Sequence, residues 1–253
     1  DQKTVVMPRE VALYLREGKA FKELLMTPPE IEIEKRDPLN VSRAAIANIS
    51  TLLRWVEELL NFWSQEPADS LRSGGLGIRE LKVIAGHLGV EDSLAAFLVE
   101  IAYCAGLVTT DVDDRILPTH AYDIWLTQKP SEKWFVLVSA WLTTSRVPGL
   151  IGRTETKSFA AMGPELDRLA APTLRKLTLN LINNCDGAPL LPSLIKAARW
   201  HAPSKRTGGI HEDLISWSVR EAEWFGITGH GAMSSYGRAL LAGDDITVID
   251  HDL

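Results

Sequence analysis

The tightest constraint in this sequence is the crowding of elements between Gly77 and Thr119. "GIRELKVIAGHLGV" places Ile78, Leu81, Ile84, Ala85 and Leu88 on one helical face, and Gly89 sits where a left-handed C-cap belongs. "EDSLAAFLVEIAYCAGLV" follows at once with a second stripe at Leu94, Phe97, Leu98, Ile101 and Ala105. After Gly106 the pattern becomes a short strand, an acidic turn and a second strand in "LVTTDVDDRILPT". Helix, short turn, helix and hairpin, joined without slack, is the order of a winged helix-turn-helix.

The flanking segments extend that plan. "LNVSRAAIANISTLLRWVEELLNFW" is the longest helical pattern, with Ile46, Ile49, Leu52, Leu53, Val56, Leu59, Leu60 and Trp63 inward, and Glu66-Pro67 ends it. Before it, Pro8 opens a helix in "PREVALYLREGKAFKELL", and "PPEIEIEKRDP" alternates Ile31 and Ile33 with glutamates as a half-buried strand does. "HAYDIWLTQ" and "PSEKWFVLVSAWLTT" give two further helices. The C-terminal half repeats the plan: "LDRLAAPTLRKLTLNLINNC", "LPSLIKAARWHAP" and "HEDLISWSVREAEWFGI" are helices, followed by a strand, a tight turn and a closing helix. Gly106 and Gly226 end corresponding helices in the two copies. The expected fold class is mainly α with small β wings, built as tandem winged helix-turn-helix domains. The expected division is 1–38, an N-terminal α/β segment; 39–144, the long helix with the first winged helix; 145–243, a second and more basic winged helix; and 244–253, a solvated acidic tail.

"LRSGGLG" at 71–77 raises the question of a phosphate loop. It lacks the Lys-Ser/Thr that a P-loop needs, and "SQEPADS" before it does not read as a strand. The glycines are expected to serve tight entry and close backbone approach into the following helix. No adjacent acidic pair follows an apolar strand, so ATP hydrolysis is not expected. The six histidines are scattered without His-x-x-x-His or Cys-x-x-Cys spacing, and no Gly-x-Ser-x-Gly occurs. No catalytic residue, metal or other cofactor is assigned, and no small-molecule substrate is evident. Cys104 and Cys185 read as buried thiols of a reducing, cytoplasmic compartment. No run is long enough to span a bilayer, so no membrane partner is expected. The chain opens on Asp1 and not methionine, which reads as a piece of a longer protein.

Charge points to the candidate surface. The net charge of -6 argues against a uniformly basic nucleic-acid binder, but its distribution is uneven. Residues 1–144 carry 15 Lys/Arg against 21 Asp/Glu, 145–210 carry 10 against 4, and 211–253 carry 2 against 8. In the first copy the helix that would enter a major groove has Glu91, Asp92 and Glu100 and no cation, so it suits protein contact better than DNA. In the second, "KAARWHAPSKRTGG" holds Lys196, Arg199, Lys205 and Arg206 around Trp200, and Arg175 and Lys176 precede it. Arg199, Lys205 and Arg206 are the first candidates for phosphate contacts, then Lys196, Arg175 and Lys176, with Trp200 as a stacking platform. The alternative places Trp200 in the core and the cations in a solvated loop.

Three blocks carry a resemblance: "LRSGGLGIRELKVIAGHLGV…AGLV", "LPTHAYDIWL" with "W…LVSAWL", and "REAEWFGITGHGAMSSYGRALLAG". In that order, across about residues 8–243, they resemble the bacterial helicase-associated proteins with an XPB-like N-terminal domain, of the helicase conserved C-terminal domain-containing family. The resemblance implies a non-catalytic role beside a helicase or other protein partner in DNA repair or a transcription-linked system, with a helicase C-terminal-like region beyond residue 253. The function expected is therefore positioning of DNA by backbone contacts. The rival expectation is a protein-interaction scaffold that never touches DNA.

Overall fold

The computed structural model describes residues 7–18, 27–153, 158–203 and 210–253. It is mainly helical with small sheets. Helix α1 (Arg9–Leu15) and strand β1 (Ile33–Glu34) precede α2 (Pro38–Gln65), the longest element. Then come β2 (Ala68–Asp69), α3 (Ile78–Leu88), α4 (Asp92–Cys104), β3 (Val108–Thr110), β4 (Arg115–Pro118), α5 (His120–Leu126) and α6 (Pro130–Thr143). A short hairpin of β5 (Gly152–Arg153) and β6 (Ser158–Phe159) leads to α7 (Ala171–Asn183), β7 (Ala188–Pro189), α8 (Leu191–His201) and α9 (Ile210–Trp224). The chain closes with β8 (Thr228–Gly229), β9 (Ala232–Met233), α10 (Ser235–Ala242) and α11 (Ile249–Asp252).

The helices form where the apolar spacing places them. On α2, Val41, Ala45, Ile49, Leu52, Leu53, Val56, Leu59, Leu60 and Trp63 are buried along one side. Asp37 Oδ1 accepts the Leu39 N–H at 3.0 Å and so caps the helix. Gly89 takes the left-handed conformation at φ 65° and ends α3 as expected. Strands β2, β4 and β3 make one antiparallel sheet in that order, with Ala68 opposite Ile116 and Thr110 also opposite Ile116. Strand β2 corrects the sequence reading, since 64–70 had not read as a strand; two residues beside Pro67 are too few to show a period. Strand β1 is also shorter than the alternation suggested and pairs with β7, Ile33 opposite Pro189.

One continuous core runs from Ala45 to Ile249 and includes buried residues of α2, α4, α6, α7, α8 and α9. The boundary drawn at 144/145 therefore does not separate two cores. Trp134 Nε1 donates to the Phe225 carbonyl at 2.8 Å, and Trp141 Nε1 donates to Glu221 at 2.6 Å, both buried. Residues just past the boundary return to the first half. Arg146 forms a bidentate pair with Glu100 of α4, Nε to Oε2 at 2.7 Å and Nη2 to Oε1 at 3.1 Å. The expected solvated tail is also corrected. Asp250 accepts the Ser131 N–H and hydroxyl, each at 2.8 Å, and Ile249 is fully buried, so α11 docks at the start of α6.

The glycines at 74 and 75 answer the question of the loop. Both have positive φ, 86° and 85°. A Cβ on Gly75 would overlap the Ala161 carbonyl and the Gly163 backbone, and Leu76 N–H donates to Ala161 O at 2.7 Å. The loop is closed over by the 160–163 segment, bridged at Leu76–Ala161, and backbone fills the space at Gly75. Gly86, exposed within α3, meets nothing. Gly75→Ala is thus expected to destabilise by well over ~1 kcal/mol, while Gly86→Ala stabilises by about 0.5–1 kcal/mol. Urea denaturation of the two variants checks both signs.

Candidate nucleic-acid interface

The helices that follow the short turn in each half are built into the core. In α4 every residue from Leu94 to Ala102 is buried. Glu100, expected to face outward, is instead 1% exposed and spends its carboxylate on Arg146 and the Met162 N–H. Helix α9 buries Leu214, Ile215, Ser218, Glu221 and Ala222, and Glu212 and Asp213 occupy its first turn. Neither helix has a cationic face to lay in a groove.

The expected basic cluster is split by the fold. Helix α8 buries Leu194, Ala197 and Ala198 and turns Lys196, Arg199 and Trp200 outward. They line a groove of about 590 Å³ whose floor is apolar, formed by Pro29, Leu191 and Ile195. Arg199 Nη1 lies 2.7 Å from Glu212, so its charge is compensated. Trp200 is 36% exposed and meets the His201 ring edge-on, the centroids 4.9 Å apart. This keeps Trp200 out of the core, contrary to the alternative raised from sequence. Lys176 is exposed on α7. Lys205 and Arg206 lie outside the described residues. Arg168 precedes α7, and its guanidinium donates to the Glu165 and Asp167 carbonyls.

Arg175 is a correction. It is 2% exposed, its Nη1 donates to the Trp141 carbonyl at 2.5 Å and the Thr144 carbonyl at 3.0 Å, and its guanidinium stacks over the Trp141 ring. No phosphate can reach it. Burial lowers its pKa, opposed by the nearby Glu221 carboxyl. Burial raises the pKa of Glu221, opposed by Arg175 and by the Trp141 indole N–H. Arg175 is an internal clasp between α7 and α6.

Chemistry elsewhere is sparse. Burial pushes the Cys104 thiol up to about 11, which leaves it a poor nucleophile at neutral pH. Among the described residues no group of three or more His, Cys, Asp or Glu side chains is placed to hold a metal ion. Among the described residues, likewise, no helix is long and apolar enough to cross a membrane.

Sequence reasoning missed a second, larger cavity. Lys35, Arg36, Asp37, Asn40, Arg43 and His230 line about 880 Å³ between the start of α2 and the β8–β9 turn. Its residues come from chain positions almost 200 apart, and the acid-rich composition of the N-terminal half concealed its cations. No protein-family model matches this chain, and neither a curated protein nor a solved structure matches it.

Arg175→Met leaves the Glu221 carboxyl buried without its cation and is expected to cost roughly 3 kcal/mol. The carboxyl then holds its proton more tightly in the folded chain than in the unfolded one, so the loss grows as pH rises above the ordinary carboxylate range. Lys176→Met on the same helix is expected to stay within about 0.5 kcal/mol. Urea melts at pH 5 and pH 8 compare the two.

Proposed function

We propose that this chain is a non-catalytic module of two winged-helix units that positions DNA through its phosphate backbone, as part of a helicase-associated protein in repair or transcription. The winged-helix reading is supported by topology. Elements α2, β2, α3, α4, β3 and β4 follow in order, and β2 joins the outer side of the hairpin to give the sheet β2-β4-β3. Elements α7, β7, α8, α9, β8 and β9 repeat the order, with Gly231 at the β8–β9 turn close to Ala188 of β7.

The observation that carries the reading is the division of labour between helices. Both helices that would read bases are committed to the core, while cations on α2, α7 and α8 stay exposed. Contacts of this kind hold a backbone in register and carry no sequence preference. A second reading, a protein-docking scaffold, is favoured by the apolar floor of the α8 groove and by the Arg199–Glu212 pair.

Fluorescence anisotropy with single-stranded, duplex and forked DNA tests the choice. The DNA reading expects binding that weakens at least about tenfold between 50 and 200 mM salt, with Lys196→Glu costing about threefold as a single phosphate contact. No binding at low salt overturns it and leaves the scaffold.

A further inference from the structure

Lys35, Arg36, Arg43 and His230 are brought together by elements with separate reasons to be where they are. Strand β1 is fixed by its pairing with β7, and the two residues after it are Lys35 and Arg36. Arg36 Nε donates to the His230 carbonyl at 3.2 Å, and its guanidinium pairs with Glu34. His230 sits at the β8–β9 turn with φ 50°. That turn is pinned by one carboxylate: Glu223 accepts the His230 N–H at 2.7 Å, the Gly231 N–H at 3.2 Å and the Thr228 hydroxyl at 2.6 Å.

The nearby acids are already engaged. Glu34 is held by Arg36, Glu223 by the turn, and Asp37 by the first turn of α2. Lys35 and Arg43 make no ion pair among the described residues. The cationic surface also continues along α2. Arg43, Ala47, Ser50 and Arg54 are all exposed at the spacing of one helical face, and no acid occurs from Pro38 to Val56. Arg43 and Arg54 are about 16 Å apart along the axis at 1.5 Å per residue. Arg54 likewise has no ion-pair partner among the described residues.

We infer that this face, with Lys35, Arg43 and Arg54 as its uncompensated cations and Arg36, paired with Glu34, and His230 beside them, is a track for the phosphodiester backbone of a nucleic acid and is stronger than the α8 surface. The inference rests on the reading of the chain as a DNA-positioning module and names where the DNA lies. Three observations select a backbone over other anions. The charged and polar lining residues are exposed above a base of buried Val41 and half-buried Ala44, so the site does not enclose a small phosphorylated ligand as a pocket would. The cations extend over several phosphate spacings, as a polymer requires. The lining offers no exposed aromatic or large apolar anchor, which a peptide interface would need.

The test is anisotropy of the whole chain with a labelled duplex at 50–200 mM salt, comparing Lys35→Glu/Arg43→Glu/Arg54→Glu with Lys196→Glu/Arg199→Glu. The substituted side chains are exposed, and circular dichroism melts verify that both variants stay folded. The first variant is expected to lose at least about tenfold affinity at low salt, with the slope of log K against log salt flatter by two to three. The second is expected to lose about threefold. If wild type binds and the first variant binds equally well, the inference is overturned while the DNA-positioning reading stands. If wild type binds no DNA at low salt, both fall. If polyglutamate of matched charge displaces the duplex as efficiently as unlabelled duplex does, the face captures acidic chains in general and the inference is overturned.

Discussion

The arrangement around Trp141 holds the molecule together. Its indole N–H is satisfied by Glu221 of α9, its carbonyl by Arg175 of α7, and its ring packs against Phe225 and under the Arg175 guanidinium. Two helices of the C-terminal half, α7 and α9, thus meet on one residue of α6. A buried carboxyl and a buried guanidinium are costly alone; here each is near the other and each has a neutral partner as well. The Trp134–Phe225 hydrogen bond repeats the tie about two turns away on α6.

That central join also decides which helix faces are buried. A winged helix that reads bases needs one face of its third helix left for the groove. Here α4 is enclosed by α2, α3 and α6, and α9 is packed by α7, α8 and α2. Burial on so many sides leaves no recognition face, and the exposed surface of the module passes to α2, α7 and α8. Lys35, Arg43, Arg54, Lys176, Lys196 and Arg199 lie there or beside it.

Much of the fold was legible in the sequence, because long apolar periods report burial directly. The α2 stripe, the Gly89 stop, the tight hairpin after α4 and the close approach at Gly75 all followed from local pattern. What was not legible depended on residues distant in sequence. Arg175 was read as exposed because a guanidinium usually is; only the Trp141 and Thr144 carbonyls make a buried site for it. Asp250 looked like a solvated acid, and Ser131, 119 positions earlier, makes it a cap. The α8 candidates Lys196, Arg199 and Trp200 do share a face, but Glu212 compensates Arg199. The α2 cations were hidden for a different reason: a charge count over 144 residues averages a clean basic face into an acidic half.

Helix α2 serves both halves at once. It is the first helix of the N-terminal unit, and it is also the bed of the C-terminal hairpin: a Cβ at Gly229 would overlap the Val41 carbonyl, and Asn48 Nδ2 donates to the Glu223 carbonyl at 2.9 Å. The two halves of the chain therefore share one helix. Cutting the chain between them would strand the C-terminal half without its supporting helix.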